Sequence, residues 1–393
     1  MDTTLLPAAI KGDKIALSTA ARAKIAGLNG SCPQAFTFQL AWTWTVIIGA
    51  IVWAEYVNAP WATVIAIFLV ATRQNLLGIL VHEQADLLGY RGRFGDLVVN
   101  CFAAYPLLVL TVEGYAQVHL SHHRDYFNAT DPDFQRKSGD EWSIPMRPID
   151  LAKLFLMDLL GINTLKLIRG KQPIAENMAF ARRHRVPRWL RPAYFVSVAA
   201  LLTLSGTWML FLVYWLLPIV TITQVMVRWG ALCEHKYNLL GASVVDSTPL
   251  IILSWWERLL LPNLNFAMHP YHHFFPGVSF SRLPTLHAIF LRAGRPCRAT
   301  AGLSWLPGLF AVYHSPIKHA MMGNPLGLGR LCRSGFTTVR SLGDGNGVCD
   351  VRVLRSKLGN ALRRDHGRDQ FPKRGRNGAP PQMGSQIPLN QVF

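Results

Sequence analysis

Histidines occur in this chain at spacings that place them on one face of a helix. The sequence reads H-L-S-H-H at residues 119–123 and H-P-Y-H-H at residues 269–273, so each segment has histidines at positions i, i+3 and i+4. A third segment, H-E-Q-A-D at residues 82–86, has a histidine and an aspartate four positions apart. Residues three and four apart are neighbours on a helix surface, and histidine is the commonest metal ligand in proteins. The sequence therefore predicts a metal site that draws on all three segments.

The predicted ligands exceed the four that one structural zinc ion takes. Asp86 and His235 are added to the histidines of the three segments as predicted ligands. His235 is either a ligand or a structural histidine. The complete set is His82, Asp86, His119, His122, His123, His235, His269, His272 and His273. This excess favours two metal ions. Nitrogen-rich ligation with few carboxylates suits a pair of irons that activate O2 and oxidise unactivated C–H bonds.

Polar residues near the histidines have two interpretations each. Asp131 and Asp133 either orient ligating rings through the ring N–H groups or act as helix caps and turn residues. Asn265 is either a weak oxygen ligand or a hydrogen-bond donor to a ligand. Glu83 is either a base or a charge at a membrane boundary. The first segment begins like the H-E-x-x-H signature of zinc proteases, but it ends in Asp86, which argues against a protease.

Composition predicts a membrane protein. Of the 393 residues, 50% are hydrophobic and only 16% are charged, against about a quarter charged in soluble domains. The formal net charge of +18 does not predict nucleic-acid binding, because the basic residues lie between and after the apolar segments, as in cytoplasmic loops. The six cysteines form no C-x-x-C pair, which argues against a disulfide framework or a zinc ribbon.

Four apolar segments have roughly the 20-residue length that a bilayer span requires, and uncharged turns at residues 57–60 and 205–207 pair them into two hairpins. The segments are Phe38–Tyr56, Trp61–Val81, Ala193–Leu204 with its neighbours, and Trp208–Val227. Because lysine and arginine are concentrated away from both turns, the termini and all the histidine segments should be cytoplasmic. We expect an all-α integral membrane protein with four transmembrane helices in two hairpins and a cytosolic helical cap that holds the histidine-rich site.

Other segments complete this predicted organisation. Leu97–Val112 is predicted to be a re-entrant or interfacial helix, and Leu250–Leu261 an amphipathic helix at the interface. Residues 1–36 form a cytosolic N-terminal segment without a cleavable signal peptide, and residues 37–320 form the membrane domain. Residues 321–393, in which twelve Lys and Arg accompany four Asp and Glu, form a basic, disordered tail.

These motifs resemble those of the membrane fatty acid desaturase/hydroxylase family. The matching pieces are H-E-Q-A-D, H-L-S-H-H-R-D-Y-F-N-A-T-D-P-D, C-E-H, and N-x-N-x-x-x-H-x-x-H-H-x-F-P followed by R-L-P-T-L-H, over about residues 38–291. The resemblance implies a four-helix membrane stem, a cytosolic cap and a non-haem di-iron centre ligated by the histidines of the three segments, with His235 as a further ligand. It also implies O2 as the oxidant and electrons from a separate ferredoxin or cytochrome b5-type protein.

The chain departs from the family pattern at two positions. Asp86 stands where the first segment usually ends in histidine, and Tyr271 stands where an acidic residue usually precedes the paired histidines. Asp86 is a possible carboxylate ligand. If it does not bind iron, the centre is weakened or the chain is a non-catalytic relative.

The leading functional hypothesis is an O2-dependent desaturase that introduces a C=C bond into an acyl chain or a similar aliphatic substrate, in a bacterial inner membrane with a cytoplasmic active site. One alternative is a hydroxylase, or a desaturase of a small amphiphile such as a rhizobitoxine-type amino acid ether. An alternative of another class is a non-catalytic membrane protein that binds or transports metal. Such a transporter would have histidines along a path across the bilayer, whereas here they gather at one face.

Overall fold

The computed structural model describes residues 17–144, 146–169, 186–253, 255–292 and 300–301. Within these ranges the chain is helical apart from loops, an isolated bridge between Gly30 and Val278, and one pair of two-residue strands. The helices are α1 (Thr19–Ala26), α2 (Pro33–Val57), α3 (Pro60–Ala85), α4 (Gly92–Leu107), α5 (Val112–Asp125), α6 (Pro132–Lys137), α7 (Pro148–Leu159), α8 (Ile162–Arg169), α9 (Leu190–Ser205), α10 (Trp208–Glu234), α11 (Val244–Ser247), α12 (Trp255–Leu260), α13 (His269–Phe274) and α14 (Leu283–Arg292). Single 3-10 turns lie at Asp140–Trp142, Phe266–Met268 and Phe280–Arg282.

Helices α2 and α3 form the first predicted hairpin. Each begins with a proline in its first turn, where the missing N–H costs nothing. Asn58 ends α2 in the left-handed conformation, with φ of 49°, and Asn tolerates that region better than most residues. Both helices are long and apolar enough to cross a membrane. Helix α3 continues beyond the predicted boundary at Val81, so His82 lies in its last turn.

Helices α9 and α10 follow one another where the second hairpin was predicted. Gly206 joins them with φ of 68°, a conformation that costs glycine little because it has no Cβ. Helix α10 is long and apolar enough to cross a membrane, and it contains a π-helical turn at Leu212–Leu216. Helix α9 has 16 residues, which is shorter than the roughly 20 of a full span. The all-α membrane architecture is thus confirmed, with three helices of spanning length among the described residues.

Helices α4 and α5 form a sharply bent pair where a re-entrant segment was predicted. Their axes differ by 90°, the geometry of a broken span or a re-entrant loop. The Asn100 side chain stabilises the bend, because its Oδ1 accepts from the Val112 N–H at 2.9 Å and its Nδ2 donates to Glu113 at 3.0 Å. Trp215 of α10 donates to the Pro106 carbonyl at 2.8 Å. These bonds satisfy polar groups that the break would otherwise leave buried and unpaired.

Two apolar clusters hold these elements together, and between membrane helices such contacts stabilise mainly through close van der Waals packing. One lies between the long helices and α4, and it includes Phe36, Leu40, Ile47, Leu77, Leu80, Val99 and Trp215. The other surrounds the histidine-bearing helices, and it includes Tyr126, Phe127, Tyr237, Tyr271, Phe274, Leu286 and Phe290. Both clusters pack beside helices that end in predicted ligands, which fixes the backbone positions of those ligands.

The prediction of one interfacial helix over Leu250–Leu261 was wrong in its first half. Ile251–Ile252 instead forms strand β1, which pairs in parallel with β2 at Thr300–Ala301, and α12 is confined to Trp255–Leu260. The β-branched Ile251 and Ile252 favour the extended conformation. Helix α1 lies within the predicted N-terminal segment, whereas the predicted tail 321–393 lies outside the described residues. The domain boundaries remain predictions.

Candidate metal centre

Four separate segments deliver the predicted ligands to one place. His82 is in the last turn of α3 and Asp86 caps that helix. The second set of histidines occupies the last two turns of α5, His235 follows α10, and the third set lies in α13. All eight histidines are buried. The ends of the apolar helices α3 and α10 therefore converge with α5 and α13 around a cluster of imidazoles.

The ligand atoms of His82, Asp86, His119 and His272 lie within 4.8 Å of one another. His123 joins them, because its Nε2 is 2.9 Å from Nε2 of His272. The rings of His82 and His119 have centroids 4.0 Å apart. We call these five residues group A.

The ligand atoms of His122, His235 and His273 also lie within 4.8 Å of one another. His269 joins them, because its Nε2 is 2.9 Å from Nε2 of His235 and 3.1 Å from Nε2 of His273. These four residues are group B. Together the two groups contain all nine residues predicted as ligands from the sequence.

The two groups are adjacent, and the doublets His122–His123 and His272–His273 explain why. Consecutive residues project about 100° apart around a helix of 3.6 residues per turn, so each doublet sends one ring to group A and the other to group B. The His123 and His273 rings stack with centroids 4.6 Å apart at the boundary. A paired histidine at the end of each motif is thus suited to two neighbouring metal ions.

The ring nitrogens fit a metal site better than a metal-free core. Several of them are buried and have no hydrogen-bond partner among the described residues, and leaving such a group unpaired costs about 1–3 kcal/mol. They are Nδ1 and Nε2 of His82, Nε2 of His122, and Nδ1 of His123, His269 and His273. Other nitrogens face each other at 2.9–3.2 Å, about the separation of two nitrogens that bind one ion at roughly 2.1 Å and at right angles.

Burial keeps four of these histidines neutral. Desolvation, reinforced by neighbouring histidines, holds the pKa values of His235, His269 and His273 well below 6.5. Desolvation also lowers the pKa of His272 to about 4, although the Asp86 carboxylate opposes that change. Near neutral pH these four rings therefore retain the lone pair that a metal ion needs.

Asp131 performs both functions that the sequence left open. Its Oδ2 lies 2.8 Å from Nδ1 of His122 and accepts from the Phe127 N–H at 2.9 Å. Its Oδ1 caps α6 by accepting from the N–H groups of Asp133 and Phe134. One buried carboxylate thus orients a ring of group B and begins a helix.

The other two predicted supporting residues form no hydrogen bond to a described histidine ring. Asp133 accepts from Arg136 at 2.6 Å, from Lys137 at 3.0 Å and from the Tyr237 hydroxyl at 3.0 Å. Although burial alone would raise its pKa, these cations hold the pKa of Asp133 well below its usual value. Asn265 donates to the Phe280 carbonyl at 3.3 Å, next to the segment that begins α13.

Sequence reasoning missed a cluster of hydroxyls around His235. Nδ1 of His235 lies 2.9 Å from Oγ1 of Thr248 and 3.3 Å from the Tyr126 hydroxyl. That hydroxyl is also 2.6 Å from Oγ of Ser247 and 2.7 Å from Oγ1 of Thr248. No spacing in the sequence marks these residues, because Tyr126 is more than a hundred positions from the other three.

Glu83 and Tyr271 have structural contacts of their own. The Glu83 carboxylate is buried and accepts from the Phe280 N–H at 2.8 Å, which ties the end of α3 to the loop after α13. Tyr271, which stands where the family pattern has an acidic residue, places its hydroxyl 2.9 Å from Nδ1 of His287. Both residues thus support the backbone around the histidines.

An open cleft leads to the two groups. It is lined by rings of both groups, by apolar side chains and by charged side chains. The rings are those of His82, His119, His122, His235 and His269, the apolar side chains include Val109, Leu110, Tyr115, Val118 and Phe266, and the charged side chains are Asp133, Arg136, Lys137 and Glu234. An aliphatic chain in this cleft would contact the same rings that are placed to bind metal.

The family model for fatty acid desaturases matches residues 59–301, which is more than half of the chain and includes both groups. The chain belongs to the fatty acid desaturase family. No curated protein matches it. Membership indicates an oxidoreductase of the desaturase or hydroxylase type, embedded in a membrane and acting on a lipid, in a family that typically uses iron. The resemblance inferred from the histidine segments is confirmed.

Proposed function

We propose that the protein is an O2-dependent desaturase that introduces a C=C bond into an aliphatic chain with a di-iron centre and electrons from a separate ferredoxin or cytochrome b5-type donor. The observation that supports this most strongly is the convergence of all nine predicted ligands into two adjacent groups. Group A would hold one iron and group B the other. When bound, the pair supplies the activation of O2 that removal of hydrogen from an unactivated C–H bond requires.

The chain's own residues would position and protect this chemistry. Asp131 and the hydroxyls of Tyr126 and Thr248 hold His122 and His235 in fixed orientations, which raises the precision of a metal site. The apolar side chains that line the cleft, among them Val118 and Phe266, would hold an alkyl chain beside the histidine rings and exclude water from it.

The proposed location is a bacterial inner membrane with the site on the cytoplasmic side. The supporting observation is the charge distribution. Both predicted hairpin turns lack lysine and arginine, whereas the segments that contain the histidines are rich in them. An electron donor in the cytoplasm would then have direct access to the end of the molecule that contains groups A and B.

The proposal is tested by expressing the chain in a host that lacks the activity, with iron and a reductant system present, and profiling lipids and polar metabolites by mass spectrometry. We expect a product lighter than its precursor by two hydrogens. His273→Gln should abolish it, whereas the matched control His366→Gln, in the predicted tail, should not. Unchanged profiles from folded, iron-loaded protein would contradict catalysis, and a product heavier by one oxygen would replace desaturation by hydroxylation.

A further inference from the structure

Four charged side chains line the cleft that leads to groups A and B, and an alkyl chain alone does not explain them. Glu234, the last residue of α10, lines this cleft immediately before His235. Its carboxylate is partly buried and forms no hydrogen bond or ion pair within the part of the chain that the structure describes. A carboxylate withdrawn from bulk water without a partner is costly unless a ligand compensates it.

Neither cation that lines this cleft bonds to Glu234 among the described residues, although the positive charge of Lys137 acts on its carboxylate. Arg136 and Lys137 both bond to Asp133, at 2.6 and 3.0 Å, so one carboxylate serves two cations and a positive charge is left over. Lys137 also donates to the Tyr237 hydroxyl at 2.8 Å. The Arg136 side chain is 42% exposed, and its guanidinium has further N–H groups for an anion. The cleft thus contains an acidic side chain, Glu234, and a partly exposed basic side chain, Arg136, that do not bond to each other among the described residues.

We infer that the cleft recognises the zwitterionic polar end of an amphiphilic substrate, with its ammonium group on Glu234 and its anionic group on Arg136. The inference rests on the proposed function and names the substrate class for that site. A ligand with both charges compensates both side chains at once, whereas a purely anionic or purely neutral chain leaves the Glu234 carboxylate unpaired. The alkyl part then lies along Val118 and Phe266 over the histidine rings.

This arrangement has a consequence for the position of reaction. Because Glu234 precedes His235 of group B directly in the sequence, the ammonium group binds close to the metal centre. The C–H bonds nearest the rings are then those within a few carbons of the polar end. Cleft geometry therefore favours a substrate modified near its head group over one modified deep in a long acyl tail.

Binding of water-soluble probes to the purified full-length protein in nanodiscs tests the inference without requiring turnover. The probes are norleucine (a zwitterion with a four-carbon side chain), hexylamine, hexanoate and 1-hexanol, measured by calorimetry. We expect norleucine to bind at least tenfold more tightly than 1-hexanol. Glu234→Gln should weaken norleucine and hexylamine by about tenfold and leave 1-hexanol unchanged, whereas the exposed control Glu141→Gln should alter none of them.

If Glu234→Gln is merely unstable, a variant with the opposite charge still tests the inference. Glu234→Lys should exchange the preference, so that hexanoate binds more tightly than hexylamine. Arg136→Gln should weaken norleucine and hexanoate but not hexylamine. Equal binding of all four probes to the wild-type protein, or a preference for norleucine that survives in Glu234→Gln, would overturn the inference. Either result leaves the desaturase proposal intact, because that proposal depends on the product profile.

A polar end with both an ammonium and an anionic group occurs in free amino acid-like amphiphiles and in the head groups of aminophospholipids. Nanodiscs of phosphatidylethanolamine and of phosphatidylglycerol distinguish these sources. If a lipid head group is the ligand, phosphatidylethanolamine nanodiscs should weaken apparent norleucine binding by competition. If a free amphiphile is the ligand, norleucine should bind equally in both. Glu234 is required in both cases.

Discussion

The Asp86 carboxylate lies 3.0 Å from Nε2 of His119, a contact between the cap of α3 and the body of α5. The same Oδ2 atom lies 3.6 Å from Nε2 of His272. The position where the family pattern has a histidine is therefore occupied by a carboxylate that faces two imidazoles of group A. A carboxylate oxygen at this point is placed to share an ion with those nitrogens.

Asp86→Ala should lose part of the bound iron, whereas Asp86→His should retain it, because imidazole replaces one ligand with another. We expect iron affinity to fall at least about tenfold in the alanine variant, as even indirect supports of metal ligands have that effect. Metal analysis of purified protein measures this, with the exposed Asp140→Ala as the control. Full iron and activity in Asp86→Ala would show that Asp86 is not a ligand.

Asp131→Asn should separate the two functions of Asp131. Asparagine caps helices about as well as aspartate, so α6 should be preserved, but the negative charge beside Nδ1 of His122 is lost. We expect iron affinity to fall by about 10–100-fold, with a modest fall in the melting temperature of the metal-free protein because the buried Phe127 N–H loses the acceptor at Oδ2. If the affinity is unchanged in a folded variant, the bond to His122 has no influence on the metal.

The purified protein should contain about two irons per chain, since groups A and B each provide four or five ligands. Removing them with a chelator should lower the melting temperature, because an ion that binds only the folded state stabilises it by mass action. Elemental analysis before and after iron is added back measures both effects. A single labile zinc ion, with no iron retained, would favour the non-catalytic alternative.

Arg228→Met should destabilise the junction of α10 and α7. The Arg228 guanidinium bonds to Asp158 through Nε and through Nη2, both side chains are buried, and it stacks 4.4 Å above the Trp142 ring. Removing one partner of a buried pair costs roughly 3–5 kcal/mol because the remaining charge is unpaired.

The double variant Arg228→Met with Asp158→Leu provides the control, since it removes both charges. It should recover most of the free energy of unfolding, measured by thermal or denaturant unfolding in detergent. If Arg228→Met alone leaves the melting temperature unchanged, the pair does not stabilise the fold.

The sequence predicted which residues gather at the candidate site, but not how they divide between groups A and B. Spacings of three and four residues place His119, His122 and His123 on one helical face, and apolar length locates the long helices. The assignment of His123 to group A and His122 to group B depends on side-chain contacts between α5 and α13, which no local pattern contains. The hydroxyls of Tyr126 and Thr248 were missed for the same reason, because their contact with His235 is purely tertiary.

The structure gives different answers for the residues whose roles the sequence left open. Asp131 was undecided between cap and support, and the structure has it in both positions, since two oxygens of one carboxylate serve separate donors. Asp133 instead neutralises two neighbouring cations. The strand at Ile251–Ile252 replaced a predicted helical turn because it pairs with residues nearly fifty positions later, a partner that periodicity cannot reveal.

Group A joins His82 to His272, so the site is incomplete until nearly the whole membrane domain has been synthesised. Helices α3 and α5 leave the ribosome first, and α13 follows them more than a hundred residues later. In the proposed centre, iron would meet the complete ligand set only after α13 has been synthesised. Loading of the proposed ions would therefore be a late event in biogenesis, and a chain interrupted before residue 269 would lack ligands for both.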